Sequence, residues 1–107
     1  MDNQEIKTIG FIGLGVMGLS MSQNILRNKG WILLVKDLDP NKEKELENKG
    51  ARIADNIKDI FKLSDLVITC LPGGSFVEDL YFGKNKNISY IKNNQFIIDM
   101  STSQPDL

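Results

Sequence analysis

Histidine is absent from this 107-residue chain, and cysteine occurs once, as Cys70. A Cys/His nucleophile pair and a histidine-based metal site are therefore excluded. An internal disulfide is excluded as well, and with it the disulfide-built secreted scaffold. Cys70 lies in the apolar run 66–71, where a small buried hydrophobe is its expected role. No apolar run approaches the roughly 20 residues needed to cross a bilayer. The first five residues are polar and acidic, unlike the basic start and apolar centre of a signal peptide. A cytoplasmic location is the expectation from these features. Charge of one sign is missing too: 13 basic residues face 14 acidic ones. Bulk charge thus gives no reason to expect a nucleic-acid or anionic-membrane surface. The lysines and asparagines at 84–86 and 92–94 read as solvated loops.

What is present suits one ordinary globular domain, with 41% hydrophobic residues and 9 glycines. Short apolar runs alternate with helix-like stretches, the pattern of βαβ units around a parallel sheet. Strands are expected at 6–12, 31–35, 52–54, 66–71 and 95–100. The helices expected between them cover 16–29, 41–49, 56–62 and a turn or two within 76–82, with a further short piece at 88–91. Gly30 stands where a left-handed cap would close the first helix. Asp39 and Pro40 are expected as N-cap and first residue of the second, which is so charged that it should be mostly solvated. The fold class read from this order is α/β: a Rossmann-type, doubly wound, mainly parallel sheet in three αβα layers.

Gly13-Leu14-Gly15-Val16-Met17-Gly18 is a G-x-G-x-x-G loop that leaves a strand and opens a helix, the context in which that motif acquires meaning. Gly13 permits the tight turn, Gly15 lets a pyrophosphate approach the backbone, and Gly18 lets the helix pack closely on the sheet. Unpaired N–H groups and the positive end of the helix dipole would bind the phosphates without a basic side chain. A glycine-rich turn with no ligand is the bland alternative. Asp37 stands 19 residues after Gly18, at the end of the second strand, where a ribose-binding acid belongs. Its charge favours NAD over NADP, since a 2′-phosphate would meet a like charge. Asp39 competes for that role, although capping suits it better, and the adjacent Lys36 would soften the repulsion.

The run Ile9-Gly10-Phe11-Ile12 and the glycine loop after it closely resemble the start of the 3-hydroxyisobutyrate dehydrogenase family, among the β-hydroxyacid dehydrogenases. Leu71-Pro72 is similar to that family's Leu-Pro turn beside the cofactor. Asp99-Met100-Ser101-Thr102-Ser103-Gln104-Pro105 resembles its substrate-binding signature. The resemblance implies cofactor contacts from Gly13, Leu14, Gly15, Val16, Met17, Gly18, Asp37, Leu71, Pro72 and Thr102, and substrate contacts from Ser101 and Thr102. Strand termination by Pro72 and helix capping by Ser101 and Thr102 are the competing structural readings. The 6-phosphogluconate dehydrogenases usually carry alanine at the position of Gly15, and NADP-dependent relatives carry Asn-Arg where this chain has Asp37 and Leu38. The resemblance also puts the catalytic lysine in a C-terminal helical domain, so none is assigned within 1–107. It makes this chain the nucleotide-binding half of a two-domain enzyme acting on a small hydroxy acid, silent by itself. The fifth strand's edge, or the apolar face left open by missing helices, is then expected to self-associate. The rival readings are a self-sufficient NAD-binding module, an imine or NADP-dependent semialdehyde reductase, and a 6-phosphogluconate dehydrogenase-like domain.

Overall fold

The computed structural model describes residues 6–28, 30–71, 80, 83, 87–92 and 94–100. Its elements are β1 (Thr8–Ile12), α1 (Val16–Leu26), β2 (Ile32–Lys36), α2 (Pro40–Glu47), β3 (Arg52–Ile53), α3 (Ile57–Leu63), β4 (Leu66–Thr69), a 3₁₀ turn (Asn87–Tyr90) and β5 (Phe96–Asp99). The five strands pair in the order β3-β2-β1-β4-β5, every pair parallel. The chain therefore starts at the centre, winds outward through β2 and β3, and crosses back to build β4 and β5 on the other side. The reversal falls between β1 and β4. Such a switch point opens a crevice at the carboxyl ends of the strands, where open α/β sheets bind ligands.

Alternation along each central strand sends side chains into two separate cores, as a sheet covered on both faces requires. Ile9, Phe11, Leu33, Val35 and Ile68 pack with Leu14 and Leu46 beneath α1 and α2. Ile12, Leu34 and Val67 pack with Ile60 and Phe61 of α3 on the opposite face. This is the three-layer αβα arrangement expected from the alternating sequence pattern.

Boundaries differ from expectation for identifiable reasons. β1 begins at Thr8 rather than Ile6, because Asp65 Oδ2 takes up the N–H groups of Lys7 and Thr8 at 2.9 and 3.0 Å. α1 stops at Leu26 with Arg27 as a right-handed cap. Gly30 is not the left-handed terminator: among the described residues, only Gly13 and Gly50 have positive φ. Main-chain bonds from Arg27 to Asn24 and from Asn28 to Ile25 close that helix, and Asn28 Oδ1 accepts the Gly30 N–H at 3.0 Å. α2 begins as anticipated, with Asp39 Oδ1 accepting the Asn41 N–H at 2.9 Å ahead of Pro40. Its charge misleads at one position, since Glu43 is buried together with Leu46. The helical turn expected within 76–82 lies outside the described residues except for Leu80, which is buried.

Candidate functional site

The glycine loop is held in shape by what surrounds it. Gly13 has φ of +96°, a conformation open to glycine and costly for other residues. A Cβ there would stand 2.3 Å from the Cys70 carbonyl oxygen, so the chain leaving β4 passes too close to Gly13 for any side chain. The Gly13 N–H donates to the Lys36 carbonyl at 3.0 Å, and the Leu14 N–H donates to Asp37 Oδ1 at 2.8 Å. Leu14 drives its side chain into the α1/α2 core, fully buried. The loop is thus anchored by β2 on one side, by β4 on the other and by Leu14 from below.

Above this anchorage the structure is open. Nothing lies within 4 Å of the position a Gly15 Cβ would occupy. Gly15 is the N-cap of α1, with extended backbone (φ −64°, ψ −174°), no capping side chain and no acid in the first turn. Its carbonyl starts the helix by accepting the Leu19 N–H at 2.7 Å. Among the described residues, no side chain caps the first N–H groups of α1, at the open side of the loop. Gly18 completes the geometry from beneath: a Cβ there would approach the Gly13 carbonyl oxygen to 2.4 Å, so only glycine lets α1 pass so close under the turn. An open surface, unpaired donors and a helix dipole with no competing carboxylate fit the pyrophosphate of a dinucleotide. Met17 is half exposed on the same first turn.

At the end of β2 the carboxylate of Asp37 does more than stand ready for a ribose. Oδ1 receives the Leu14 N–H and Oδ2 receives the Asp39 N–H at 3.0 Å. Each oxygen keeps a lone pair for a further donor. Behind it, Glu43 Oε2 accepts the Asp37 N–H at 3.0 Å and lies 3.6 Å from Lys36 Nζ. Sequence reasoning missed Glu43. The signal was there, since Leu46 is the one apolar residue of 41–49 and Glu43, three positions earlier, shares its inward face.

Across the switch point, Leu71 is partly buried against the α3 core. Thr69 Oγ1 donates to Asp99 Oδ1 at 2.9 Å and the Met100 N–H donates to the Thr69 carbonyl at 2.7 Å, tying the ends of β4 and β5 together. Burial, reinforced by the nearby Asp99 charge, raises the Cys70 thiol above its ordinary value, which leaves it protonated and unreactive at neutral pH. Pro72, Ser101 and Thr102 lie outside the described residues. No group of metal-ligating side chains occurs among the described residues. The described carboxylates around the crevice, Asp37, Glu43 and Asp99, all accept hydrogen bonds from main chain or neighbouring side chains.

Comparison with known proteins gives the same picture. Residues 8–107 match the family described as the NAD binding domain of 6-phosphogluconate dehydrogenase. The chain is 46% identical over 101 residues to the uncharacterized oxidoreductase YkwC of Bacillus subtilis, spanning 94% of this chain and 35% of that protein. It is 38% identical over 97 residues to the 3-sulfolactaldehyde reductase of Escherichia coli, spanning 91% of this chain and 32% of the reductase. The solved structure of Mycobacterium tuberculosis 3-hydroxyisobutyrate dehydrogenase with L-serine superposes with a TM-score of 0.80 at 29% identity, over 94% of this chain and 33% of that one. The chain thus spans about a third of the length of these relatives.

Proposed function

The chain belongs to the family of NAD-binding domains typified by that of 6-phosphogluconate dehydrogenase, and on that premise we propose that it binds NAD as the nucleotide half of an oxidoreductase. The substrate proposed for the whole enzyme is a short 3-hydroxy acid such as 3-hydroxyisobutyrate. The observation that carries this reading is the uncapped start of α1 under the open surface of Gly15, beside the Asp37 carboxylate.

In this reading Gly13, Gly15 and Gly18 shape the pyrophosphate cradle, and the backbone of Leu14, Val16 and Met17 forms its wall. Asp37 accepts the ribose hydroxyls with the lone pairs left over from Leu14 and Asp39. Leu71, Pro72 and Thr102 complete the cofactor cleft, and Ser101 with Thr102 approaches the substrate carboxylate. When bound, the nicotinamide supplies the hydride acceptor or donor; the residues of this chain bind, orient and exclude water. No lysine of this chain is assigned to proton transfer, so by itself the chain binds dinucleotide without turnover. Support for this substrate class comes from the compounds named for several relatives: hydroxyisobutyrate, L-serine and sulfolactaldehyde are all short, carry an acidic group, and bear a primary alcohol or aldehyde at one end, while imine reductases share the same fold. An aldehyde reductase working in the opposite direction would use the same cradle.

Titration of the chain with NADH and NADPH tests the cofactor assignment. NADH is expected to bind tighter than NADPH, and Gly15→Val, which fills the open surface, to abolish both. Asp37→Asn is the informative variant at the ribose site, because its amide oxygen still accepts the Leu14 N–H while the charge and the acceptor for the Asp39 N–H are lost. It should cost NADH about tenfold and NADPH less. Tighter binding of NADPH by the unaltered chain, or saturable binding to the Gly15→Val variant, would overturn the assignment.

A further inference from the structure

Glu43 is a buried carboxylate that the cradle does not use. It is 6% exposed, yet among the described residues its charge is opposed by a single ammonium at salt-bridge distance, that of Lys36. One oxygen, Oε2, carries both contacts: the Asp37 N–H at 3.0 Å and Lys36 Nζ at 3.6 Å. The Lys36 side chain is 29% exposed against 8% for that of Glu43, so the pair is not sealed in at its lysine end. A lysine at that point, next to the residue placed against the ribose, is the side chain that would otherwise recruit a 2′-phosphate. Glu43 occupies it.

We propose that Glu43 is the specificity-determining positioning residue of the dinucleotide site, holding Lys36 away from the 2′ position and fixing Asp37 so that NAD is taken and NADP refused. The inference rests on the nucleotide-binding reading above and deepens it. With the ion pair intact, the end of β2 presents one cation, Lys36, against the carboxylates of Asp37, Asp39 and Glu43. A 2′-phosphate, bringing a charge of about −1.5 to −2 at neutral pH, meets an excess of like charge there. Neutralising Glu43 removes one of those negative charges and frees the ammonium to rotate on its flexible stem toward the phosphate. Both effects favour NADPH and neither helps NADH, so the consequence is a change in preference rather than a general loss.

The substitution Glu43→Gln separates charge from architecture, since its amide oxygen still accepts the Asp37 N–H. Dissociation constants of the chain for NADH and NADPH are measured by fluorescence titration for the unaltered chain, E43Q, K36M and the double variant. E43Q is expected to shift the NADPH-to-NADH ratio toward NADPH by about tenfold, and adding K36M to reverse most of that shift. K36M alone, a substitution at a partly exposed position that does not depend on E43Q folding, should move the ratio the other way by leaving Glu43 unopposed. An unchanged ratio in E43Q, equal weakening of both dinucleotides, or a double variant that keeps the shift would each overturn the proposal. If the unaltered chain binds neither dinucleotide, the nucleotide-binding reading falls and this inference with it. Preference for NADH in the unaltered chain with no response to E43Q would sink the inference alone.

Discussion

A methyl group at Gly10 would stand 2.4 Å from Ser64 Oγ and 2.7 Å from Ile60 Cγ2. In the sequence Gly10 is merely the residue before Phe11; in the fold it is a point where the end of α3 presses tightly on the sheet. Gly10→Ala should therefore destabilise the chain by about 1–3 kcal/mol through overpacking. Ser64 offers a control. Its hydroxyl is buried with no hydrogen-bond partner among the described residues. Because an unpaired buried hydroxyl costs about 1–3 kcal/mol, Ser64→Ala should be neutral or stabilising and should recover part of the Gly10→Ala loss. Urea midpoints for the two single variants and the pair measure this; a Ser64→Ala variant weaker than the parent would contradict the account. Asp37 shows the same limit of legibility. Its distance from Gly18 marked it as a ribose acid, but its grip on the Leu14 N–H was invisible, since nothing in the sequence says which main-chain donor a carboxylate will meet.

Elements were easier to read than their ends. Period and punctuation located all five strands and the Asp39 cap, whereas Asn56, read as the first residue of the third helix, turns out to be its N-cap. The ends of β1 and α3 are settled by side chains distant in sequence. Gln95 Nε2 donates to the Phe61 carbonyl at 2.6 Å and the Ser64 carbonyl at 2.8 Å, capping α3 from the approach to β5. Asp65 joins the entrance of β4 to that of β1 through the N–H groups of Lys7 and Thr8. Those hydrogen bonds, helped by the charges of Lys92 and Lys7 and opposed by burial, hold its carboxyl below the ordinary aspartate value. A carboxyl lowered in the folded state stabilises the fold above the unfolded-state value of about 4, and that contribution disappears as pH falls through the lower folded value. Asp65→Asn should accordingly cost about 1–2 kcal/mol at neutral pH and progressively less as the pH falls below about 4. Thermal melts of both proteins across that range test it, a pH-independent difference being the contrary result.

For the molecule as a whole, strand order was legible in outline and the balance of its two faces was not. β5 lies at one edge of the sheet. By register with β4, its Phe96 and Ile98 share the face of Leu66 and Ile68, beneath which α1 and α2 pack elsewhere. On β5 no described helix provides that cover: Phe96 is 50% exposed, Ile98 46% and Met100 just beyond it 39%. An apolar strip along an edge strand invites pairing. The chain is expected to self-associate with rising concentration, and Ile98→Lys to shift it toward monomer. Light scattering that finds the unaltered chain monomeric at high concentration would refute this.

The fastening of the glycine loop to β2 also sets when the cradle can exist. Leu14 and Asp37 are 23 residues apart, and the Gly13 bond to Lys36 spans the same interval of chain. Closing a segment of that size precedes any reward from the contact. Before β2 docks beside β1, the ties from Lys36 and Asp37 to the loop do not exist, so a peptide of β1, loop and α1 alone does not hold the cradle's shape. The first βαβ unit is the smallest piece of this chain that contains both ties, and during folding the cradle starts to take shape with the docking of β2 and is completed when β4 closes against Gly13.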